Sequence, residues 1–403
     1  MKAILLGIGQ CGNKIVDACF MHSPGIYTKT EVFKSLAINT AEPDLRGLKH
    51  IPKENKILIG QSVVRGHGVG TDNTLAAKIV SREMDTVLNQ INQLGPSQVD
   101  AFFLIGSLGG GTGSGVMPIL GKAIRSTYGT KIPVIAVPVF PSRMEGELME
   151  LNAGKSFVTL QRNVDGILLV DNDKFMHRGE TLEGAYRHIN MMLARELRLL
   201  VEASESKIVA ESVVDAGAII NTLCGMHRIN AMLTKEKLDE ETADLNIRIA
   251  ELAVIGHAYE IIPKPKGFIR KKPPEITRKA DRLLYLTKQA LSQTSMDATV
   301  STATQGLLVI VGPRAEMDPK GMAAMRTMLR EEVHGDVRCG DFPTEGNTVE
   351  IVIAIGGLTE VPRVREVIEK AKAVAMKRPD QFDQRKGRVK ELIANTKDIP
   401  PLL

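Results

Sequence analysis

The chain has 403 residues, of which 43% are hydrophobic and 25% charged, with a net charge of +5, as in an ordinary soluble globular protein of two or three domains. It contains no tryptophan and only 4% aromatic residues, which argues against an aromatic platform for single-stranded nucleic acid. The four cysteines are isolated, no signal peptide is recognised and no apolar run is long enough to cross a bilayer, so we expect a reduced, cytoplasmic protein with no nucleic-acid partner and no membrane insertion.

Short apolar runs alternate with helical stretches through the first half of the chain. The first predicted strand, Ala3–Ile8, runs directly into a glycine-containing turn and a helix. Further strands are predicted at 32–38, 56–59, 99–105, 132–139 and 166–170, and helices at 73–94, 114–127 and 146–162. Near-continuous apolar strands that alternate with helices predict a buried, mostly parallel sheet with helices on both faces.

The pattern changes after residue 180. Apolar residues at helical spacing predict one long helix over 181–203. Strands at 306–311 and 348–355 then alternate with helices at 279–293, 318–332 and 362–376. The sequence thus predicts an α/β protein with a Rossmann-like domain at 1–180, a central helix at 181–204, a smaller α/β C-terminal domain at 205–376 and a charged tail at 377–403.

The first turn is compatible with two kinds of protein. Gly7, Gly9 and Gly12 form G-x-G-x-x-G directly after a strand, a pattern typical of dinucleotide-binding turns. A nicotinamide-dependent oxidoreductase would also place an acidic residue after the second strand to bind the ribose hydroxyls. Asn39 stands there instead, and Glu42 comes later. An NAD(P)-dependent oxidoreductase is therefore the remote alternative.

Two further glycine-rich turns point to a phosphate ligand. GSLGGGTGSG at 106–115 follows an apolar strand and precedes a helix, so its backbone N–H groups can face an anion at the helix N-terminus. RGHGVGTDN at 65–73 also lies between a strand and a helix, although Asp72 could serve there only as a helix cap. Three such turns predict a nucleoside triphosphate, and the lack of G-x-x-x-x-G-K-[ST] excludes a P-loop.

GQCGN at 9–13 together with GGGTGSG at 109–115 resembles the tubulin/FtsZ superfamily, whose signature is the second motif. The likeness extends to about residue 376. GQCGN is closer to tubulin, whereas 65–73 and 339–357 are closer to FtsZ, a mixture similar to the archaeal CetZ group of tubulin-like proteins. The resemblance implies a GTPase that binds GTP or GDP with Mg²⁺, assembles head to tail with copies of itself, and serves cell shape or division.

The resemblance also implies which residues contact the phosphates and the metal. Glu42 would lie near a hydrated Mg²⁺, a cation that takes few carboxylate ligands. The phosphate contacts would come from the three glycine-rich turns, through Gly9, Gln10, Cys11, Gly12, Asn13, Gly68, Gly70, Asp72, Gly109, Gly110, Gly111, Thr112 and Gly113.

The ribose and the base would be bound by later segments. FPSRMEGE at 140–147 resembles the ribose-binding loop, and Glu145 is favoured over Glu147 because it forms an FtsZ-like Glu-Gly pair. Asn163 and Asn190 match the two guanine-reading asparagines of tubulin, and Tyr186 would stack on the base. Without the glycine-rich turns, the spacing of Tyr186 and Asn190 would be more typical of a pair at the edge of a core.

In this superfamily, acidic residues after the central helix position the attacking water on the next subunit's GTP. Asp215 matches the first acidic position, but Ala218 stands at the second and cannot orient water. Three alternatives remain open: Asp215 suffices with help from Glu211, hydrolysis is slow, or the chain is an inactivated variant. We hypothesise weak hydrolysis that Ala218→Glu would raise. Asp215 could also cap the next helix.

Two questions about partners stay open at the level of sequence. A nucleotide-binding regulator that does not polymerise is the main alternative to a filament protein. The terminal KDIPPLL faintly resembles the peptide by which FtsZ binds membrane adaptors, although a frayed chain end is the simpler interpretation.

Overall fold

The computed structural model describes residues 1–21, 32–129, 131–175, 181–205, 214–225, 249–262 and 278–377. Glu211 and the segment 378–403, with its terminal KDIPPLL, lie outside the described residues.

Strands of the described chain form one mixed sheet of eleven members. They are β1 (Ala3–Ile8), β2 (Phe33–Asn39), β3 (Lys56–Leu58), β4 (Ala101–Ser107), β5 (Val134–Phe140), β6 (Gly166–Leu168), β7 (Val170–Asp171), β8 (Glu251–Ile261), β9 (Gln305–Gly312), β10 (Asp336–Pro343) and β11 (Thr348–Gly356). Their order is β10-β9-β11-β8-β6-β5-β4-β1-β2-β3, with β7 beside β5. All these pairs are parallel except those of β11 with β8 and β9.

Helices connect the strands and cover both faces of the sheet. They are α1 (Gly9–Cys19), α2 (Glu42–Arg46), α3 (Gln61–Val64), α4 (Asn73–Arg82), α5 (Met84–Gln93), α6 (Gly111–Tyr128), α7 (Glu147–Leu160), α8 (Leu182–Ala203), α9 (Ala216–Cys224), α10 (Lys279–Ser292), α11 (Pro319–Glu332) and α12 (362–377).

The predicted fold class is confirmed, with two differences in detail. The helix predicted over 73–94 is two helices that meet at Glu83, and the strands β8 and β10 were not predicted. The interior of β8 contains Gly256 and His257, which interrupt the apolar run on which strand prediction depends. Because β8 pairs with β6, the two halves of the chain share one sheet.

The core lies on both faces of this sheet. Alternate residues of β1 belong to opposite apolar clusters, Ile4 and Leu6 to one and Leu5 to the other, and all three are at most 1% exposed. A strand that is buried on both faces reads as a continuous apolar run, as the sequence indicated. The central helix α8 packs on α1 and contributes Leu193 and Leu197 to the second cluster.

Helix α12 follows the last strand and returns to the first half of the chain, where it packs on α7. At the contact, a Cβ placed on Gly154 would lie 2.3 Å from the Ala371 Cβ, so only glycine permits this helix separation. Arg363 of α12 is 3% exposed, and its Nη2 lies 3.1 Å from Glu150 Oε1 of α7. The chain order alone assigned α12 to the C-terminal domain, but its packing ties it to the first half.

An exposed ion pair also joins α12 to the first half. Arg143 donates from Nε and Nη2 to the two carboxylate oxygens of Glu366, over 2.9 and 2.5 Å. These hydrogen bonds lower the pKa of the Glu366 carboxyl from its ordinary 4.5 to about 2. A fork of two parallel bonds is the strongest geometry for an arginine and a carboxylate.

Substitution of Gly154 should separate the two helices. We expect Gly154→Ala to lower the free energy of unfolding by about 1–2 kcal/mol in urea titrations, since overpacking outweighs the gain of about 1 kcal/mol in helix propensity. The second change Ala371→Gly should restore most of the loss. Gly47→Ala is the control, because the nearest atoms to a Cβ there are 3.6 Å away. An unchanged free energy of unfolding in Gly154→Ala would contradict the close contact between the two helices.

The Glu366 pair should make stability depend on pH in a defined window. Because its pKa is lowered, the carboxylate stabilises the fold above about pH 4.5, and the contribution is lost as the pH falls toward about 2. The difference in Tm between the wild type and Glu366→Gln should therefore be largest near pH 7 and shrink below about pH 4.5. Glu360→Gln removes an exposed pair with Arg365 at 3.9 Å and serves as the control. A pH-independent difference would contradict the assignment.

Candidate functional site

A cavity of about 320 Å³ opens at the carboxyl ends of the parallel strands. Parallel strands end at the same edge of a sheet, and ligands of such folds bind there. Loops after β1, β2, β4 and β7, the turn before α4, the segment around the start of α7, and α8 supply the lining: Ile8, Gly9, Gln10, Cys11, Lys14, Asn39, Ala41, Asp44, Gly68, Val69, Gly70, Thr71, Ser107, Gly110, Gly111, Thr112, Gly113, Glu145, Met149, Asn172, Tyr186 and Asn190.

Two helices begin at one end of the cavity. Helix α1 starts at Gly9 and α6 at Gly111, and neither has a side-chain cap or an acidic residue in its first turn. Their first N–H groups therefore keep their hydrogen-bonding capacity, and the positive ends of both helix dipoles add to it. The side chain of Lys14 contributes a cation to the same cavity. These groups are able to bind an anion such as a phosphate group.

The turns that begin these helices touch each other through their backbones. Gly9 has φ +71°, and a Cβ there would lie 3.0 Å from the Gly113 N atom. A Cβ on Gly113 would lie 2.4 Å from the Ser107 carbonyl oxygen. No other residue permits this approach, which brings the N–H groups of both turns to one cavity.

A buried asparagine fixes the third glycine-rich turn. Asn152 of α7 is 4% exposed and donates from Nδ2 to the carbonyl oxygens of Thr71 (2.9 Å) and Gly109 (3.0 Å). Thr71 lines the cavity at φ +63°, a conformation that a β-branched residue rarely adopts. Asn152 could not be predicted from the sequence, because its partners are backbone atoms that only the fold brings together.

Most of the predicted phosphate-binding residues line the cavity, namely Gly9, Gln10, Cys11, Gly68, Gly70, Gly110, Gly111, Thr112 and Gly113. Gly12 and Asn13 do not. A Cβ on Gly12 would lie 1.9 Å from the Ile105 carbonyl oxygen, so this glycine lets α1 pack on β4. Asn13 is fully buried and donates to the Ile38 carbonyl oxygen over 3.2 Å, which ties α1 to β2.

Asp72 and Gly109 also lie outside the lining. Asp72 is the N-cap of α4 and accepts from the backbone N–H of Leu75 over 2.9 Å, so the cap considered for it in the sequence is present. Gly109 presents its carbonyl to Asn152. These residues position the turns that line the cavity.

Polar and aromatic side chains gather around Glu145, which contacts Tyr186 of α8 and Asn172, and Asn190 of α8 also lines the cavity. Asn172 donates from Nδ2 to Glu145 Oε1 over 3.3 Å, and the same oxygen accepts from the Ser142 backbone N–H over 2.8 Å. Burial and the neighbouring Glu145 carboxylate raise the pKa of the Tyr186 hydroxyl, which therefore stays neutral. Glu147 is exposed and does not line the cavity.

The structure places Asn163 away from these side chains. Asn163 precedes β6, at the amino edge of the sheet, and donates to the Pro118 carbonyl oxygen over 3.2 Å. Asn172 follows β7 at the carboxyl edge and lines the cavity. Residues before and after a strand lie at opposite edges of the sheet, so the order of strand and asparagine in VDND at 170–173 was the signal that sequence reasoning missed.

The acidic residues after β2 are arranged differently from expectation. Asp44 lines the cavity and accepts from Gln10 Nε2 (3.3 Å) and Asn39 Nδ2 (3.1 Å). Glu42 lies outside the lining, with its half-exposed carboxylate 3.8 Å from Arg46 Nε. Across the described residues, no group of three His, Cys, Asp or Glu could hold a metal ion. The donors fit only a cation such as Mg²⁺ that keeps most of its water and takes further oxygens from a bound phosphate.

Among the residues predicted to contact the phosphates, Cys11 is the one that carries a titratable thiol. It lines the cavity, and burial raises its pKa to about 12, with a smaller contribution from Glu145. The thiol is therefore protonated at neutral pH and acts as a packing group, since nucleophilic and metal-binding cysteines need the thiolate.

Asp215 and Ala218 lie at the start of α9, outside the cavity lining. Asp215 is exposed, and its Oδ1 accepts from the Ala218 backbone N–H over 2.6 Å as the N-cap. Ala218 is 3% exposed and belongs to an apolar cluster. Asp215 thus has a structural role, and its exposed position leaves it free to face another molecule.

In the segments that the structure describes, we find no helix with the length and apolarity needed to cross a bilayer.

Comparison with known proteins covers both halves of the chain. Residues 2–179 match the family model of the Tubulin/FtsZ family GTPase domain, and residues 179–373 match that of the tubulin-like CetZ C-terminal domain. The tubulin-like protein CetZ3 of Haloferax volcanii is 36% identical over 380 residues, which cover 91% of this chain and 90% of that protein. CetZ of Pyrococcus abyssi is 28% identical over 99% of this chain and 97% of its own length.

Solved structures show the same likeness. The GDP-bound monomer of CetZ1 from Haloferax volcanii has a TM-score of 0.77 and 32% identity, covering 93% of this chain and 100% of that one. The GTPγS-bound protofilament of CetZ2 from the same organism has a TM-score of 0.76 and 29% identity, covering 94% and 100%. The chain therefore belongs to the tubulin-like CetZ family, with a tubulin/FtsZ-type GTPase domain followed by a CetZ C-terminal domain.

Proposed function

We propose that this protein binds GTP in the cavity and assembles head to tail into cytoplasmic filaments that serve cell shape or division, with hydrolysis at the contact between subunits. The observation that carries the proposal is the combination of groups that line one cavity: two helix N-termini and Lys14, together with an aromatic ring, two amides and a carboxylate. These groups match the phosphates, the ribose and the base of one nucleotide.

At the anion end, backbone N–H groups of the turns after β1 and β4 would hold the phosphates. The hydroxyls of Thr40 and Thr112 lie 2.8 Å apart in the interior, so the Thr112 side chain is held in place beside the cavity. Asp44 is the carboxylate best placed to accept from water molecules around a phosphate-bound Mg²⁺, with Glu42 farther out. The ion would neutralise phosphate charge when bound.

At the other end, the hydrogen bonds favour guanine over adenine. The Glu145 carboxylate can only accept, so the Asn172 amide donates to it and keeps its oxygen as an acceptor. Guanine presents N–H donors at positions 1 and 2, whereas adenine presents an acceptor at position 1. Tyr186 offers a ring face for stacking, and Glu145 can accept from a ribose hydroxyl.

Assembly would complete the site. Asp215, the candidate for positioning the attacking water, does not line its own chain's cavity, so it can act only on the nucleotide of a neighbouring copy. Such a contact joins two different surfaces and is open-ended, which produces a filament. The CetZ2 protofilament supports this arrangement. With Ala218 in place of a second carboxylate, we expect slow hydrolysis.

The two asparagines provide a test of guanine recognition. We expect Asn172→Ala to weaken the binding of a fluorescent GDP analogue by about 10-fold or more, because guanine loses an acceptor in a desolvated site. Asn163→Ala should leave the dissociation constant within about twofold, since its amide is bound to a backbone carbonyl outside the cavity. Equal effects of the two changes would contradict the assignment of Asn172.

Assembly and hydrolysis are tested together by pelleting with GTP, GDP or no nucleotide, followed by chromatography of the nucleotide in the pellet. The wild-type protein should pellet only with GTP, and chromatography should show that GTP in the pellet is converted slowly to GDP. Asp215→Asn should pellet normally and form GDP at least about 10-fold more slowly, because asparagine keeps the N-cap and removes the charge.

Asp318→Asn is the matched control, since Asp318 caps α11 by accepting from the Gly321 N–H over 2.8 Å. The complementary change Ala218→Glu should raise turnover, but it places a carboxylate at a buried position and is the less clean variant. Absence of pelleting with GTP would favour a nucleotide-binding regulator that does not polymerise. Unchanged hydrolysis in Asp215→Asn would remove Asp215 from the mechanism.

A further inference from the structure

We propose that helix α12 positions the base- and ribose-contacting side chains of the cavity through a chain of ion pairs, so that Arg363 and Glu366 determine guanine-nucleotide affinity without touching the ligand. This inference rests on the proposed nucleotide site and adds to it a set of positioning residues. The cavity lining includes Glu145 and Asn172, but not Arg143, Arg363 or Glu366.

The first arm of this chain of ion pairs holds the residues on both sides of Asn172. Asp171 Oδ2 lies 3.6 Å from Arg363 Nε, and Asp173 Oδ2 lies 2.7 Å from Arg143 Nη1. Each neighbour of Asn172 is thus anchored to a different arginine. The position of the Asn172 side chain depends on both anchors, because Asn172 begins a 3-10 helix of only four residues (Asn172–Phe175) and follows a strand of only two.

The second arm holds the turn that carries Glu145. Ser142 donates from Oγ to Asp173 Oδ1 over 2.5 Å, and its backbone N–H donates to Glu145 Oε1 over 2.8 Å. Asp173 therefore anchors the turn with Glu145 and the segment with Asn172 at once. A shift of Asp173 would move both contacts to the ligand.

Both arms end on α12. Glu366 accepts two hydrogen bonds from Arg143, and its Oε2 lies 3.2 Å from Arg363 Nη1. Arg363 is 3% exposed and donates from Nη2 to the Pro141 carbonyl oxygen over 2.8 Å. A buried guanidinium has no water to replace a lost partner, so removing one group displaces the others. Docking of α12 is thereby coupled to the nucleotide contacts.

Titration of Asp171 offers a reversible way to weaken the same chain of ion pairs. Burial raises the pKa of this carboxyl to about 6, against the opposing effects of Arg363, the Asp173 backbone N–H and Arg143, while the Asp173 carboxylate raises it further. Above about pH 6 the carboxylate is charged and pairs with Arg363. Below that pH the proton removes the charge, and the anchor beside Asn172 is lost.

The test compares GDP and IDP, which lacks the 2-amino group of guanine, by isothermal titration of the full chain at about pH 7.5. In Arg363→Gln and in Glu366→Gln, GDP should bind at least about 10-fold more weakly, and the ratio of the IDP to the GDP dissociation constant should fall toward 1. Arg365→Gln is the matched control on the same helix, because Arg365 is exposed and lies 3.9 Å from Glu360.

Each outcome separates the inference from the proposed function. Wild-type protein that binds no GDP would overturn the proposed function. Wild-type protein that binds GDP, with variants that keep their affinity or lose GDP and IDP equally, would overturn the positioning role and leave a structural one. If Arg363→Gln does not fold, Glu366→Gln decides, since Glu366 is 30% exposed. In the wild type, the ratio of the IDP to the GDP dissociation constant should also decrease when the pH is lowered below about 6. Asp171→Asn should abolish this pH dependence.

Discussion

The backbone contact between the turns after β1 and β4 is the constraint on which the functional architecture depends. Because Gly9 lacks a side chain, the turn after β1 approaches the backbone of Gly113, and glycine at 113 lets the turn after β4 close on Ser107, so that α1 and α6 begin close together. Two helix dipoles and two sets of free N–H groups then converge, and no charged side chain has to be buried to bind an anion. A Cβ on Gly9 would push the two turns apart, and a Cβ on Gly113 would open the turn after β4.

The rest of the cavity depends on elements that are distant along the chain. The central helix α8 brings Tyr186 and Asn190 over the edge of the sheet, and it is held there by its packing on α1. The sheet itself passes from the first half to the second through β6 and β8. With α12 returning onto α7, the two halves of the described chain are joined by helix packing as well as by the sheet.

Several residues serve the structure and the site at once. Asp215 caps α9 and is also exposed, as the proposed contact with a neighbouring subunit requires. Asn152 satisfies two backbone carbonyls and thereby sets the separation of two glycine-rich turns at the cavity. Glu145 closes its own turn by accepting from Ser142 and orients the amide of Asn172. In each case a hydrogen bond that stabilises the fold also selects the geometry of the site, which limits how these positions can vary.

Features that rest on local backbone chemistry could be predicted from the sequence. Apolar residues at strand and helix spacing predicted the fold class and the long central helix, and glycines at fixed spacing after apolar strands predicted the turns that line the cavity. The sequence could not place side chains whose partners are far along the chain. Asn172 lines the cavity and Asn163 does not, and Asp44 lines it whereas Glu42 does not. These differences depend on which edge of the sheet each residue reaches.

The contacts of α12 depend on long-range packing and could not be predicted from the sequence. Arg143 and Glu366 are separated by 223 residues. In the sequence they look like any other arginine and glutamate, so nothing marks them as partners. Ion pairs carry no periodicity, and a polar residue gives no local signal of the partner that burial will assign to it. The strand β8 was missed for a related reason, since its pairing with β11 and β6 compensates for the glycine and histidine that interrupt its pattern.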